Sequence, residues 1–143
     1  MAVVTSVNIS EKKGLRKNEV PEIHLKKHLG IEGDAHRGNW HRQISLLADE
    51  SVDKMREAIP GLTHGAFAEN INTRGLTLYT IPVGTKIKIG PALLEVTQIG
   101  KECHADCAIK KATGECVMPR EGIFVVVLEE GTVRAGDEIQ ILA

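Results

Sequence analysis

About six short apolar runs, each ended within a few residues by glycine, proline or asparagine, confine this chain to a curved or closed β-sheet. Val3 to Ile9, Glu22 to Leu29 and Gln43 to Leu47 read as strands. Thr85 to Ile89 and Ala92 to Gln98, joined by Gly90-Pro91, read as a hairpin, and Gly122 to Leu128 and Glu138 to Leu142 end the series. Asp49 can cap a helix through about Ala58 that Pro60-Gly61 stops, with Val52, Met55 and Ile59 on one face. A second short helix is expected over His104 to Thr113, ended by Gly114. Glu11 to Asn18, Gly30 to His41, Leu62 to Leu78 and the Gly131 to Asp137 link read as loops. The expected fold is mainly β, a barrel with one or two short helices.

The 143 residues, 42% of them hydrophobic, suit one core, so 1–143 is expected to form a single domain. Eighteen basic and 19 acidic side chains leave a formal charge of -1, so no general field draws nucleic acid or an anionic membrane. Trp40, Phe67, Tyr79 and Phe124 are too few for a stacking platform, which argues further against nucleic acid. No apolar run approaches the roughly 18 residues of a membrane span, and Met1 to Ser6 lacks the basic region of a signal peptide. The expected location is the cytoplasm.

Three cysteines are an odd number, and all lie together at Cys103, Cys107 and Cys116. In a reducing compartment such cysteines are reactive, metal-binding or simply buried. Cys103, His104, Cys107 and Cys116 form the ligand set of a structural zinc site, although they crowd into one chain passage rather than two knuckles. Alternatively one of them is a reactive thiolate, since Lys101, Lys110, Lys111 and Arg120 lie close in sequence and cations lower a thiol pKa. Inert burial is the third reading.

A second constellation runs from Gly33 to Gln43 and holds Asp34, His36, Arg37, His41 and Arg42. Two arginines on a glycine-rich loop can grip phosphate or carboxylate by paired hydrogen bonds. The plainer reading is a solvated loop in which Asp34 pairs one arginine. His36 or His41 with Asp34 or Glu69 could form a general base, but no spacing fixes the pair. His24, His28 and His64 read as surface or loop residues. Hydrolase and nucleotide-binding signatures are missing from the sequence.

Gly30-Ile31-Glu32-Gly33-Asp34-Ala35-His36, Gln43-Ile44-Ser45-Leu46-Leu47 and Phe67-Ala68-Glu69-Asn70-Ile71 together resemble the MOSC family, the domain at the C-terminus of molybdenum-cofactor sulfurases. The resemblance continues through Pro82-Val83-Gly84-Thr85, Leu94-Glu95-Val96-Thr97, Cys107 and Gly131 to Asp137. It implies a MOSC-type β-barrel and a protein that handles the molybdenum cofactor (molybdopterin), binding the metal-pterin or carrying sulfur as a persulfide on Cys107. Such a carrier would be of the sulfurtransferase type. Cys107 would also be the molybdenum ligand, with Cys103 as its competitor. The resemblance further implies that His36, Arg37, Arg42 and Lys101 hold the cofactor's phosphate while Glu69 and Asn70 shape the pocket floor. No bound pyridoxal phosphate is expected, so sulfur would come from a cysteine desulfurase and pass to a molybdoenzyme client. Two alternatives stand beside it: a small molybdenum-dependent reductase module needing redox partners, and a zinc-stabilised binding module without catalysis.

Overall fold

The computed structural model describes residues 2–13, 16–100 and 121–142. Its strands are β1 (Ala2–Ile9), β2 (Asn18–Val20), β3 (Ile23–Lys26), β4 (Gly30–Ile31), β5 (Ile44–Ala48), β6 (Ile71–Arg74), β7 (Lys86–Ile89), β8 (Ala92–Ile99), β9 (Ile123–Glu129), β10 (Gly131–Val133) and β11 (Glu138–Leu142). The main sheet runs β11-β7-β8-β9-β5-β6-β1-β2, and β11 pairs back onto β1. Seven strands therefore close a barrel, with β2 carried on the edge of β1. A smaller sheet, β10-β3-β4, joins the same apolar core through Ile23, Leu25, Ile31 and Val133.

Alternation along the strands sets the barrel interior. In β7, Ile87 and Ile89 point inward while Lys86 and Lys88 stay in solvent, and in β8 the inward set is Ala92, Leu94 and Val96. Strand β5 is buried at every position because both its faces are covered. Ile44, Leu46 and Ala48 face the barrel core, whereas Leu47 packs with Val52, Met55, Phe67 and Phe124 in a second cluster under the helix. This double burial is why the run Ile44 to Ala48 carries no strict polar alternation.

The helix α1 (Asp49–Arg56) carries the chain from β5 to the parallel strand β6. Asp49 is its first residue and does not cap it; Ala48 holds that position in extended conformation. The Asp49 carboxylate turns instead to His64 and Arg74. The second helix expected over His104 to Thr113 lies outside the described residues. Strands β6 and β10 lie in stretches that read as loops. Asn70 and Asn72 look like turn formers in sequence, but their amides bond to buried partners on β1, β5 and the preceding loop. Lys17 also departs from its reading as part of a surface loop, being 1% exposed.

A bulge interrupts β1. Val4 faces Thr73 and Ser6 faces Asn72, so Thr5 is an extra residue in the strand. Beyond this bulge the parity of β1 reverses: Val7 enters the apolar core, and Ser6 and Asn8 turn to the other face, where they are nonetheless fully buried.

Leu46 is wholly enclosed and Lys88 is exposed on the barrel wall. Denaturant unfolding should place Leu46→Ala about 2–5 kcal/mol below the parent, against less than about 0.5 kcal/mol for Lys88→Ala. Equal effects at both positions would contradict this inside-outside assignment.

Candidate functional site

The bulge in β1 leads the chain to Ser10, and the candidate site forms where Ser10, Lys17 and the loop after β4 converge. Three contacts hold Lys17 from the 63–65 side. The Arg16 guanidinium donates to the Thr63 hydroxyl, the Lys17 N–H donates to the Gly65 carbonyl at 2.8 Å, and Glu19 faces His64 Nδ1 at 3.4 Å. The Lys17 side chain is fully enclosed, and its ammonium finds three acceptors: Asp34 Oδ1 at 2.7 Å, Ser10 Oγ at 3.1 Å and His36 Nδ1 at 3.0 Å. An ammonium has three donors, so all are satisfied.

Asp34 is equally buried. Its Oδ1 also accepts from the Ser10 N–H at 3.2 Å, and its Oδ2 accepts from the His36 N–H at 3.0 Å. Burial pushes this carboxyl upward, but the hydrogen bond and charge of Lys17, with the two backbone donors, outweigh it and hold the carboxyl below its usual range. Asp34 thus pairs with Lys17 and not with an arginine. Because His36 Nδ1 accepts from an ammonium, the neutral ring carries its proton on Nε2. The loop that presents this ring turns at Gly33, whose φ of 81° suits glycine, and is pinned by Trp40 Nε1, which donates to the His36 carbonyl at 2.9 Å.

The two arginines are placed differently. Arg37 is exposed and its Nη1 donates to the Asp34 carbonyl at 2.8 Å, bracing the loop from outside. Arg42 lies between two aromatic rings, 4.8 Å from the Trp40 centroid and 5.4 Å from that of Phe124. Its Nε is buried and has no hydrogen-bond partner among the described residues. Beside it, His41 Nε2 meets Gln98 Oε1 at 2.9 Å.

Glu69 and Asn70 lie deeper and close a polar seam on the face exposed by the bulge. Glu69 Oε2 accepts from Asn72 Nδ2 at 2.8 Å and Oε1 from the Phe67 N–H at 3.0 Å, while Ser6, Asn8 and Asn72 bond to one another. Burial raises the Glu69 carboxyl above the usual carboxylate range, against the pull of these donors. Asn70 ties β5 to β1, accepting from the Ser45 N–H and donating to the Asn8 carbonyl. Both residues brace the loop. His24 and His28 are exposed, whereas His64 is half-buried and meets Asp49 as well as Glu19.

Cys103, His104, Cys107, Cys116 and Lys101 lie outside the described residues. The anchors of their segment are described: the Gly100 N–H donates to the Gly122 carbonyl at 2.6 Å, next to the Ile99–Ile123 and Gln98–Phe124 pairs that end β8 and β9. The cysteine-bearing segment is therefore rooted at the rim where Arg42 lies against Phe124 and His41 meets Gln98. Among the described residues no group of three or more His, Cys, Asp or Glu side chains could hold a metal ion, and no helix is long and apolar enough to cross a membrane. A groove of about 670 Å³ beside Val83 and Leu142 contains none of these groups.

Sequence reasoning missed Lys17, Ser10 and Gly65. In its local context Lys17-Asn18-Glu19 is an ordinary charged run, and only the fold carries it under the loop.

A family model for the MOSC domain matches residues 33–140. Among solved structures, the YuaD protein from Bacillus subtilis superposes with a TM-score of 0.80 at 20% identity, over 99% of this chain and 96% of that one. YiiM from Geobacillus stearothermophilus gives 0.74 at 21% identity, over 100% of this chain and 76% of its own. YiiM from Escherichia coli gives 0.70 at 22%, over 100% and 70%. At these identities the likeness is one of fold. No curated protein matches the sequence.

Removing one partner of the Lys17–Asp34 pair leaves a buried charge alone. Lys17→Met and Asp34→Leu should each cost about 3–5 kcal/mol, and the double variant clearly less than their sum, as a thermodynamic cycle will measure. Additive losses would mean that the two groups are not coupled. The pH dependence follows from the lowered carboxyl: stability from Asp34 is fully present above the ordinary carboxylate pKa of about 3.9 and is lost as pH falls through the lower folded value. The deficit of Asp34→Asn should accordingly shrink below about pH 4.

Gly65 has φ of 84°, and a Cβ there would press on the Lys17 carbonyl, 2.8 Å from its carbon. Gly65→Ala should cost about 1–3 kcal/mol for overpacking on top of about 1–2 kcal/mol for the left-handed backbone. A neutral result by thermal unfolding would contradict the close approach.

Proposed function

Because this chain belongs to the MOSC domain family, whose members include the terminal domain of molybdenum-cofactor sulfurases, we propose that it handles the molybdenum cofactor, holding the metal-pterin or carrying sulfur on Cys107. The observation that carries this reading is Arg42. A guanidinium flanked by two aromatic rings, with a buried Nε unpartnered among the described residues, is a cation ready for an anion. It lies at the rim from which the cysteine-bearing segment departs.

The donor set fits the cofactor's organic part better than a bare metal. Arg42 would take the phosphate, with Arg37 and Lys101 adding charge, and His36 would offer a neutral Nε2–H donor. Glu69 and Asn70 would support the loops from beneath and not touch the ligand. A metal would need Cys107, because the described residues supply no ligand cluster. When bound, the cofactor supplies the soft metal centre for which a thiolate is a suitable ligand.

As a carrier, the Cys107 thiolate would attack the outer sulfur of a persulfide on a cysteine desulfurase. A new S–S bond forms, the old one breaks, and the donor cysteine leaves as a thiolate. The product persulfide would be passed to a molybdoenzyme client. This chemistry requires free thiols, a condition that the cytoplasm meets.

Mass spectrometry of protein isolated without reductant should find pterin, or an added sulfur on one cysteine. Limiting iodoacetamide should label Cys107 before Cys103 and Cys116, and Cys107→Ser should abolish sulfur uptake. Labelling at Cys103 first, with uptake intact in Cys107→Ser, would transfer the role to Cys103. Stoichiometric zinc that protects all three thiols would instead establish the binding module. Changing Arg37 and Arg42 together to Ala should weaken pterin binding by about 2–5 kcal/mol, with Arg42 contributing the larger part because Arg37 is solvated.

A further inference from the structure

The buried acid Glu69 has no partner of opposite charge among the described residues, and its contacts point towards Lys17. Its carboxyl accepts from the Phe67 N–H at 3.0 Å, and the Ala68 N–H donates to the Gly65 carbonyl at 2.9 Å, so the acid holds the turn from Gly65 to Glu69 closed. Ala68 in that turn has φ of 62°, a conformation an alanine keeps only when its surroundings impose it. That same Gly65 carbonyl, held by the turn, also accepts from the Lys17 N–H at 2.8 Å. Lys17 then reaches His36 Nδ1 at 3.0 Å.

From this chain of contacts we infer that Glu69 is a positioning residue for His36: it fixes Gly65, which fixes the Lys17 backbone, whose ammonium selects the Nε2–H form of the imidazole. The inference rests on the reading of Lys17 and His36 as part of the site, and goes beyond it by giving Glu69 a role in the ring's protonation geometry. An acceptor-only carboxylate suits this place, since every neighbour named is an N–H donor. A Gln keeps the shape but can accept through one oxygen only and turns an amino group towards a donor. The turn should loosen, and with it the aim of Lys17.

The test is long-range ¹H–¹⁵N correlation on the ¹⁵N-labelled full chain at about pH 8.5, above the ordinary imidazole range, where ring nitrogen shifts report the tautomer. The parent should show His36 as a single Nε2–H species. In Glu69→Gln the two ring nitrogen shifts should move towards each other as the Nδ1–H form appears. Asn72→Ser, which withdraws one donor from the same carboxyl, should move them in the same direction and serves if Glu69→Gln does not fold. Leu46→Ala, destabilised but remote from these contacts, should keep the parent pattern. A parent-like His36 in folded Glu69→Gln or Asn72→Ser overturns the proposal, as does a scrambled His36 in Leu46→Ala, because the tautomer would then report only global stability. Lys17→Met separates the underlying reading: it should lose the single-tautomer pattern, and if it does not, the Lys17 link fails whatever Glu69 does.

Discussion

The rest of the site depends on one ion pair, Lys17 to Asp34, fully enclosed at 2.7 Å. Enclosing two charges is costly, and the cost is offset only if every remaining donor and lone pair is used. Here the other two ammonium hydrogens go to Ser10 and His36, and the carboxylate takes the N–H groups of Ser10 and His36. The result fastens three separate passages of chain to one point: the end of β1, the start of β2 and the loop after β4. The ladder joins the first two, with Ile9 opposite Asn18, but it does not reach the loop after β4, which the ion pair brings to them.

The barrel supplies what the pair cannot. Closure by β11 on β1 removes the sheet edge and leaves one apolar interior, and the bulge at Thr5 then divides β1 into two functions. Before it, Ala2 and Val4 serve the core; after it, Val7 does, and Ser6 and Asn8 are free to build the polar seam with Asn72 and Glu69. Were Thr5 taken into regular alternation instead of bulged out, those polar side chains would point into the barrel. A single inserted residue thus converts a strand of ordinary alternation into the wall between an apolar core and a hydrogen-bonded support.

The parts of this arrangement that follow local rules were legible in the sequence. The β7–β8 hairpin, the fully buried β5 and the position of α1 all follow from periodicity and turn chemistry, and the family resemblance pointed to the loop from Gly33 to Gln43. What stayed hidden depends on tertiary contact. β6 was obscured because Asn70 and Asn72, turn formers by propensity, are here satisfied by buried partners. β10 was obscured by its brevity, three residues paired to β3 within a glycine-flanked link. Lys17 could not be found because lysine is rarely enclosed, and nothing within its own neighbourhood signals that Asp34 will meet it.

The choice of a buried lysine in this place is not explained by stability. A methionine facing a leucine could fill similar volume, and such replacements of buried ion pairs are often neutral or stabilising. They would leave His36 Nδ1 without the Lys17 donor and Ser10 Oγ without its contact. The ion pair therefore contributes direction: its ammonium meets the loop histidine at Nδ1. Arg42, stacked and with no anion against it among the described residues, provides the complementary feature, a charge held in place by aromatic faces with its Nε uncommitted. His36, held at Nδ1 by Lys17, and Arg42, with its Nε uncommitted among the described residues, both on the loop between β4 and β5, are the groups on which the proposed anionic ligand would draw. The cysteine segment rooted at Gly100 and Gly122 leaves the barrel at that same rim.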